Sequence, residues 1–343
     1  MPLWPVYTGA DQPHDGVRQL PAPPPWRDFD GGPVVEPPPD GEVSSPDREH
    51  RARAYRATEE SVQLVNAALY LRRPLLVTGP PGSGKSSLAY AVARELRLGP
   101  VLRWNITSRS TLSDGLYQYD PLSRLYAAGR QEQQGQRGGG AGDTGPGGNV
   151  EDHLRLGPLG TALLPYERPR ALLIDEIDKS DLDLPNDLLN VMEEGQYEIP
   201  ELVRAARTRP RSRVLTADAD RPAAVERGRV RCRAFPFVVL TSNGEREFPP
   251  AFLRRCVTLE LKQPVASHLA EIVRAHLGEL DQQGLELVRT FLERSSGGEL
   301  ATDQLLNAIY LTRASGVAGA TREQLADHLM RYLSQAPGTD DDF

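Results

Sequence analysis

Two separated stretches of the chain carry residue types at spacings that suit phosphate chemistry. The first is Gly79-Pro80-Pro81-Gly82-Ser83-Gly84-Lys85-Ser86, followed by Ser87, which fits the spacing G-x-x-x-x-G-K-[ST]. Glycines there let successive backbone N–H groups curl around a phosphate with no Cβ in the way. A helix beginning at Lys85 points the positive end of its dipole at the same group. The Lys85 ammonium supplies charge for β- and γ-phosphate oxygens, and the Ser86 hydroxyl is a hard oxygen ligand for Mg²⁺. Residues 79–87 are therefore read as the binding loop for an ATP·Mg²⁺ complex.

The second stretch is Ala171-Leu172-Leu173-Ile174-Asp175-Glu176, four apolar residues running into two carboxylates. In a parallel sheet, ligands bind beyond the C-terminal strand ends. There Asp175 would meet the Mg²⁺ shell, and Glu176 would polarise the water attacking the γ-phosphate. Phe237 to Asn243 is a further apolar run with a polar end, which places Asn243 to orient that water or touch the γ-phosphate; a plain Asn-Gly turn is the competing reading. Downstream, Arg254 and Arg255 precede a last strand. An arginine reaching a neighbouring subunit's γ-phosphate stabilises transition-state charge, while a cation pair at a helix end needs no such role.

These side chains need strand ends to hold them. Residues 74–78, 101–106, 171–175, 237–241 and 257–261 read as buried strands, alternating with helical periodicity over 58–71, 85–96 and 184–194. After Pro264 only helices follow, over 265–277, 285–294, 303–312 and 322–333. Strands alternating with helices, then helices alone, imply a parallel α/β domain with helices on both faces and a small all-helical lid. The expected divisions are a Pro-rich extended arm over 1–50, the α/β domain over 51–263, the lid over 264–335 and an acidic tail over 336–343. Residues 1–50 hold 12 of the 30 prolines, yet also Trp4, Tyr7, Trp26 and Phe29, which argues for an arm draped over its own domain or a neighbour. Residues 129–148 contain nine glycines and no apolar pattern, as expected of a mobile surface loop.

Composition excludes several classes. No run approaches the length of a membrane span, and the first residues lack a secretory leader. Two cysteines, Cys232 and Cys256, cannot build a disulfide framework, so a reducing, cytoplasmic setting is expected. The net charge of −7 speaks against a general nucleic-acid coat. Yet Arg204 to Arg233 holds ten arginines against three acids, a segment that would grip a polyanion or form a solvated hairpin.

Taken in this order, the motifs resemble the MoxR-type branch of AAA+ ATPases from about Arg56 to Leu333. Leu156-Gly157-Pro158-Leu159 is similar to that branch's G-P-L element, which closes an insert of about 116–157. Met192-Glu193-Glu194 is similar to its M-E-E element, near the subunit boundary. The resemblance implies nucleotide and metal binding by Lys85, Ser86 and Asp175, a catalytic base at Glu176, a first sensor at Asn243 and a trans-acting finger at Arg255. It also implies a homo-oligomeric, hexameric remodelling motor with a protein partner, in some members one carrying a von Willebrand factor A domain. One departure stands out. Where many AAA+ lids offer an arginine, this chain reads Leu300-Ala301-Thr302-Asp303-Gln304. Lid sensing is then weak or passes to another residue such as Arg254. Besides the motor, a slow-hydrolysing assembly switch in a bacterial signalling or conflict system and a nucleic-acid motor using the arginine block stay open.

Overall fold

A computed structural model describes residues 5–10, 12–38, 45–127, 149–218, 221–295 and 302–314 of the 343. Trp4, the glycine-rich 129–148, Leu300-Ala301, the helix expected at 322–333 and the acidic tail lie outside them.

In chain order the first half runs α1 (Pro46–Ala54), α2 (Glu59–Leu71), β1 (Leu75–Thr78), α3 (Lys85–Glu95), β2 (Leu102–Asn105), α4 (Leu112–Leu116), β3 (Tyr117–Tyr119), α5 (121–127), β4 (Leu154–Leu156) and α6 (Pro158–Ala162). Then come β5 (Ala171–Asp175), α7 (Leu184–Glu194), β6 (Gln196–Glu198), α8 (Pro200–Ala205), β7 (Arg211–Leu215), β8 (Pro222–Glu226), β9 (Arg229–Arg231), β10 (Phe237–Ser242), α9 (Pro250–Leu253) and β11 (Val257–Glu260). The helices α10 (Ala266–Leu277), α11 (Gln282–Ser295) and α12 (Thr302–Ala314) close the described chain.

The apolar runs become one parallel sheet in the order β11-β1-β10-β5-β2. Its inner strands β1, β10 and β5 are buried on both faces, as in parallel sheets, while the edge strands β11 and β2 turn one face outward. Alternation sends Leu76, Leu172, Ile174, Val238 and Leu240 into a core with α6 and α7, and Leu75, Val77, Leu173 and Val239 into a second core with α2 and α3. The chain is therefore an α/β protein with helices on both faces of its sheet. A third, separate core (Leu269, Val273, Val288, Phe291, Leu305, Ile309) joins α10, α11 and α12.

A second sheet, unforeseen from the sequence, has the order β3-β4-β7-β8-β9-β6. The arginine-rich segment lies in it: β7 and β8 form an antiparallel hairpin whose Ser212, Val214, Ala223 and Val225 are buried. Arg211, Arg213, Arg229 and Arg231 stand on the exposed face. Arg229 is paired to Glu198 and Arg231 to Asp30, so part of this charge is neutralised. Beneath the hairpin, Arg170 and Asp218 form a two-pronged ion pair at 2.8 and 2.9 Å, fully inside the protein.

The N-terminal arm lies on its own domain. The Asn66 side chain accepts from Val6 N and Tyr7 N at 2.8 and 2.9 Å and donates to Tyr7 O at 2.7 Å, so one α2 amide serves the arm as a strand would. Buried Glu95 on α3 accepts from Thr8 N and its hydroxyl at 2.6 and 2.8 Å. Further on, Arg27 donates to Met192 O and covers the Phe235 ring, against which Phe29 stacks. A Cβ on Gly31 would meet Arg231 O at 1.8 Å, so the arm's close approach there requires glycine. Helix α1 starts at Pro46, ahead of the division expected at residue 50. Both cysteines are free and buried, and burial pushes each thiol up to about 12, which leaves them unreactive.

Candidate functional site

Four C-terminal strand ends and the lid enclose a cavity of about 940 Å³. Residues Pro81 to Ser87, Asp175, Glu176 and Asn243 all line it. The loop reaches its position through left-handed glycines. Gly79 has φ +147° and packs so tightly that a Cβ would lie 2.3 Å from Leu261 O, while Gly84, at φ +87°, caps α3. Lys85 folds back to donate to the carbonyls of Gly79 and Pro80, both at 2.8 Å. Burial lowers its pKa, partly offset by Asp178, Asp175 and Glu176.

The centre of the site is Asp175. Its Oδ1 accepts from Ser86 Oγ and Thr241 Oγ1, both at 2.7 Å, and its Oδ2 from Arg103 Nη2 at 2.7 Å. Burial pushes this carboxyl up, but hydrogen bonds from Thr241, Ser86 and Arg103 outweigh it and hold the pKa below the usual value. Thr241 also accepts from Glu176 N at 2.9 Å. That bond ties down a residue with φ +62°, a left-handed backbone that glutamate seldom adopts. Glu176 Oε2 pairs with Lys179 at 2.9 Å. Buried Asp178 receives Asn243 N at 2.8 Å and Glu245 N at 3.2 Å, which fixes the end of β10 beside β5. Asn243 is thereby held at the cavity wall.

Arg254 and Arg255 do not line this cavity. They follow α9, where Arg255 pairs with Glu193 of α7 and Arg254 O accepts from Arg73 at 3.1 Å. The lid contributes His268, His276, Thr302 and Asp303 to the cavity wall, and no lysine or arginine among the described residues. Sequence reasoning passed over Arg103, Thr241, Asp178 and Lys179. Only Asp178, two residues past the carboxylate pair, carried a signal that spacing could have raised.

Among the described residues no cluster of three His, Cys, Asp or Glu side chains could hold a metal by itself. The donors present fit Mg²⁺ all the same. The Ser86 hydroxyl and the Asp175 carboxylate are hard oxygens side by side, and Mg²⁺ usually keeps waters and takes substrate phosphates for its remaining positions. No described helix is long and apolar enough to cross a membrane.

The family model of the AAA domain, dynein-related subfamily, matches residues 74–256. Among solved structures, the chain is similar to NtrX from Brucella abortus in complex with ADP, at 15% identity and a TM-score of 0.42. That match covers 85% of this chain, which spans 58% of the NtrX chain. No curated protein matches.

Proposed function

Because the chain belongs to the AAA domain family of the dynein-related subfamily, we propose that it is an AAA+ ATPase that binds ATP·Mg²⁺ at these strand ends and hydrolyses it within a ring of like subunits. One observation carries the reading: two hydroxyls, from the phosphate loop and from β10, converge on a single oxygen of Asp175. Strand ends that share one carboxylate with the helix of a glycine loop suit a metal-bound triphosphate.

In this reading Lys85 exchanges its carbonyl partners for β- and γ-phosphate oxygens, and the loop from Gly79 to Ser87 wraps the phosphates. Ser86 and Asp175 would hold Mg²⁺, which would neutralise phosphate charge. Glu176 leaves Lys179 to take a proton from the attacking water, and Asn243 orients that water. Arg255 leaves Glu193 to act on a neighbour's γ-phosphate, with Arg254 beside it. The motor belongs with the MoxR-type branch, acts as a hexamer in the cytoplasm and remodels a partner protein, one with a von Willebrand factor A domain being the natural candidate.

Two observations favour a second reading, a slow-hydrolysing assembly switch: the lid presents Asp303 where a cation would help, and Glu176 is bridged to Lys179. Turnover and native mass of wild type and Glu176→Gln test both. The glutamine variant is expected to bind ATP, lose ~10²–10⁴-fold in turnover and accumulate rings. Hydrolysis at the parent rate would remove Glu176 from its role. Slow wild-type turnover that no partner protein accelerates would favour the switch.

A further inference from the structure

Among the described residues Arg103 is the cation hydrogen-bonded to Asp175, the centre of the site, and no motif pointed to it. It sits on β2, the edge strand beside β5. Leu102 and Trp104 of that strand face the core, while Arg103 and Asn105 face away from it, and Arg103 lines the cavity. Its side chain is a third exposed, and its guanidinium holds Asp175 Oδ2 at 2.7 Å. The other Asp175 oxygen is taken by Ser86 and Thr241. A guanidinium has five N–H donors, and the hydrogen bond to Asp175 uses one of them.

Besides Lys85, which sits in the phosphate loop and folds back on the carbonyls of Gly79 and Pro80, the cavity's other cations are placed differently. Arg51 is paired to Asp47, and Arg56 donates to the carbonyls of Arg53 and Tyr55. Lys262 follows β11, at the opposite edge of the sheet from β2. The lid wall offers Asp303 in the first turn of α12. A terminal phosphate therefore meets no cation from the lid among the described residues, and Arg103 is the arginine already beside the carboxylate.

We infer that Arg103 binds the terminal phosphate within its own chain and supplies the discrimination between tri- and diphosphate that the described lid residues do not offer. This rests on reading the cavity as a magnesium–nucleotide site. With the cavity empty, Arg103 neutralises a mostly buried carboxylate. With ATP·Mg²⁺ in place, Arg103 yields Asp175 to the metal, because two cations on one carboxylate repel, and turns its planar fork to phosphate oxygens. A diphosphate offers no terminal group to receive it, so ADP leaves Arg103 without that partner.

The test titrates ADP and a non-hydrolysable ATP analogue, each with Mg²⁺, into the full chain by calorimetry. Wild type, Arg103→Met, Arg103→Lys and Lys85→Ala are compared. Wild type is expected to prefer the triphosphate. Arg103→Met should lose at least ~10-fold of that preference, the size of one charge-assisted hydrogen bond, with ADP affinity kept or raised. Arg103→Lys keeps a charge for Asp175 but not the fork, so its preference should fall in between. An unchanged triphosphate-to-diphosphate ratio in the lysine variant overturns the inference even if the methionine variant fails to fold. If wild type binds both nucleotides, Lys85→Ala binds neither and Arg103→Met keeps the parent ratio, the cavity reading stands and Arg103 alone loses its role. A folded wild type that binds neither nucleotide overturns both.

Discussion

Replacing Thr241 by valine keeps the shape of a side chain that is 1% exposed and removes only its hydroxyl. That hydroxyl makes two bonds at once, donating to Asp175 Oδ1 at 2.7 Å and accepting from Glu176 N at 2.9 Å. A hydrogen bond to a charged acceptor contributes about 1.5–3 kcal/mol, and a buried N–H left without a partner costs about 1–3 kcal/mol. Together the valine variant should lose about 2.5–6 kcal/mol. Thr241→Ser retains both bonds and gives up one methyl group, about 1 kcal/mol. Equilibrium urea unfolding of the two variants, compared at equal slope, measures the difference directly. The loss also reaches the site, because the Glu176 backbone at φ +62° would lose the bond that holds it, so ATP turnover should fall further in valine than in serine. A valine variant as stable as the serine variant would refute the reasoning, since the hydroxyl would then be a bystander.

Asp218→Asn removes the charge from a pair whose members are 4% and 1% exposed and leaves Arg170 buried without its counter-ion. The expected loss is about 3–5 kcal/mol, with much of it recovered in Arg170→Met/Asp218→Leu; a neutral single variant in thermal melts would contradict this. His276 meets His50 with ring nitrogens 2.9 Å apart, and burial first, then His50 and Arg56, lowers its pKa from 6.5 to about 4. The unfolded chain therefore takes up a proton that the folded chain refuses. Stability from this group is full above pH 6.5 and declines as pH falls towards 4. His276→Asn should flatten melting temperature against pH across that window, and a wild-type profile already flat there would count against the shift. Asn66→Leu strands the buried amides of Val6 and Tyr7, at a cost of about 2–4 kcal/mol. The arm should then be cut early in limited proteolysis, whereas an unchanged digest would mean that Asn66 does not hold it.

The parallel sheet was legible because its inner strands, such as Leu75-Leu76-Val77 and Leu172-Leu173-Ile174, are apolar on both faces and bounded by glycine, proline or a polar strand end. The second sheet was not. Its strands are three to five residues long, and β7 reads Arg-Ser-Arg-Val-Leu, so the exposed arginines mask the inward alternation. The glycine loop, Asp175, Glu176 and Asn243 stood out because phosphate chemistry restricts both their types and their spacing, and the fold brings them to one cavity. Arg103 and Thr241 were silent for a physical reason. A lone charge in a short strand looks like a solvent face, and a threonine at the end of Phe-Val-Val-Leu looks like β-propensity. The role of each depends on a carboxylate seventy-two residues away in one direction and sixty-six in the other. Of the arm's aromatics, which signalled burial, Tyr7 and Phe29 are buried while Trp26 stands exposed, and Asn66 and Glu95, which anchor the arm, are ordinary polar residues within helical periodicity.

The central claim is that Lys85, Ser86 and Asp175 form one site for a magnesium–triphosphate. Binding of a fluorescent ATP analogue to the full chain, followed as Mg²⁺ is titrated, tests it most directly. Saturable, magnesium-dependent binding at one site per chain is expected, lost in Lys85→Ala and stripped of its magnesium dependence in Asp175→Ala. A folded wild-type protein with no saturable signal at any magnesium concentration would contradict it.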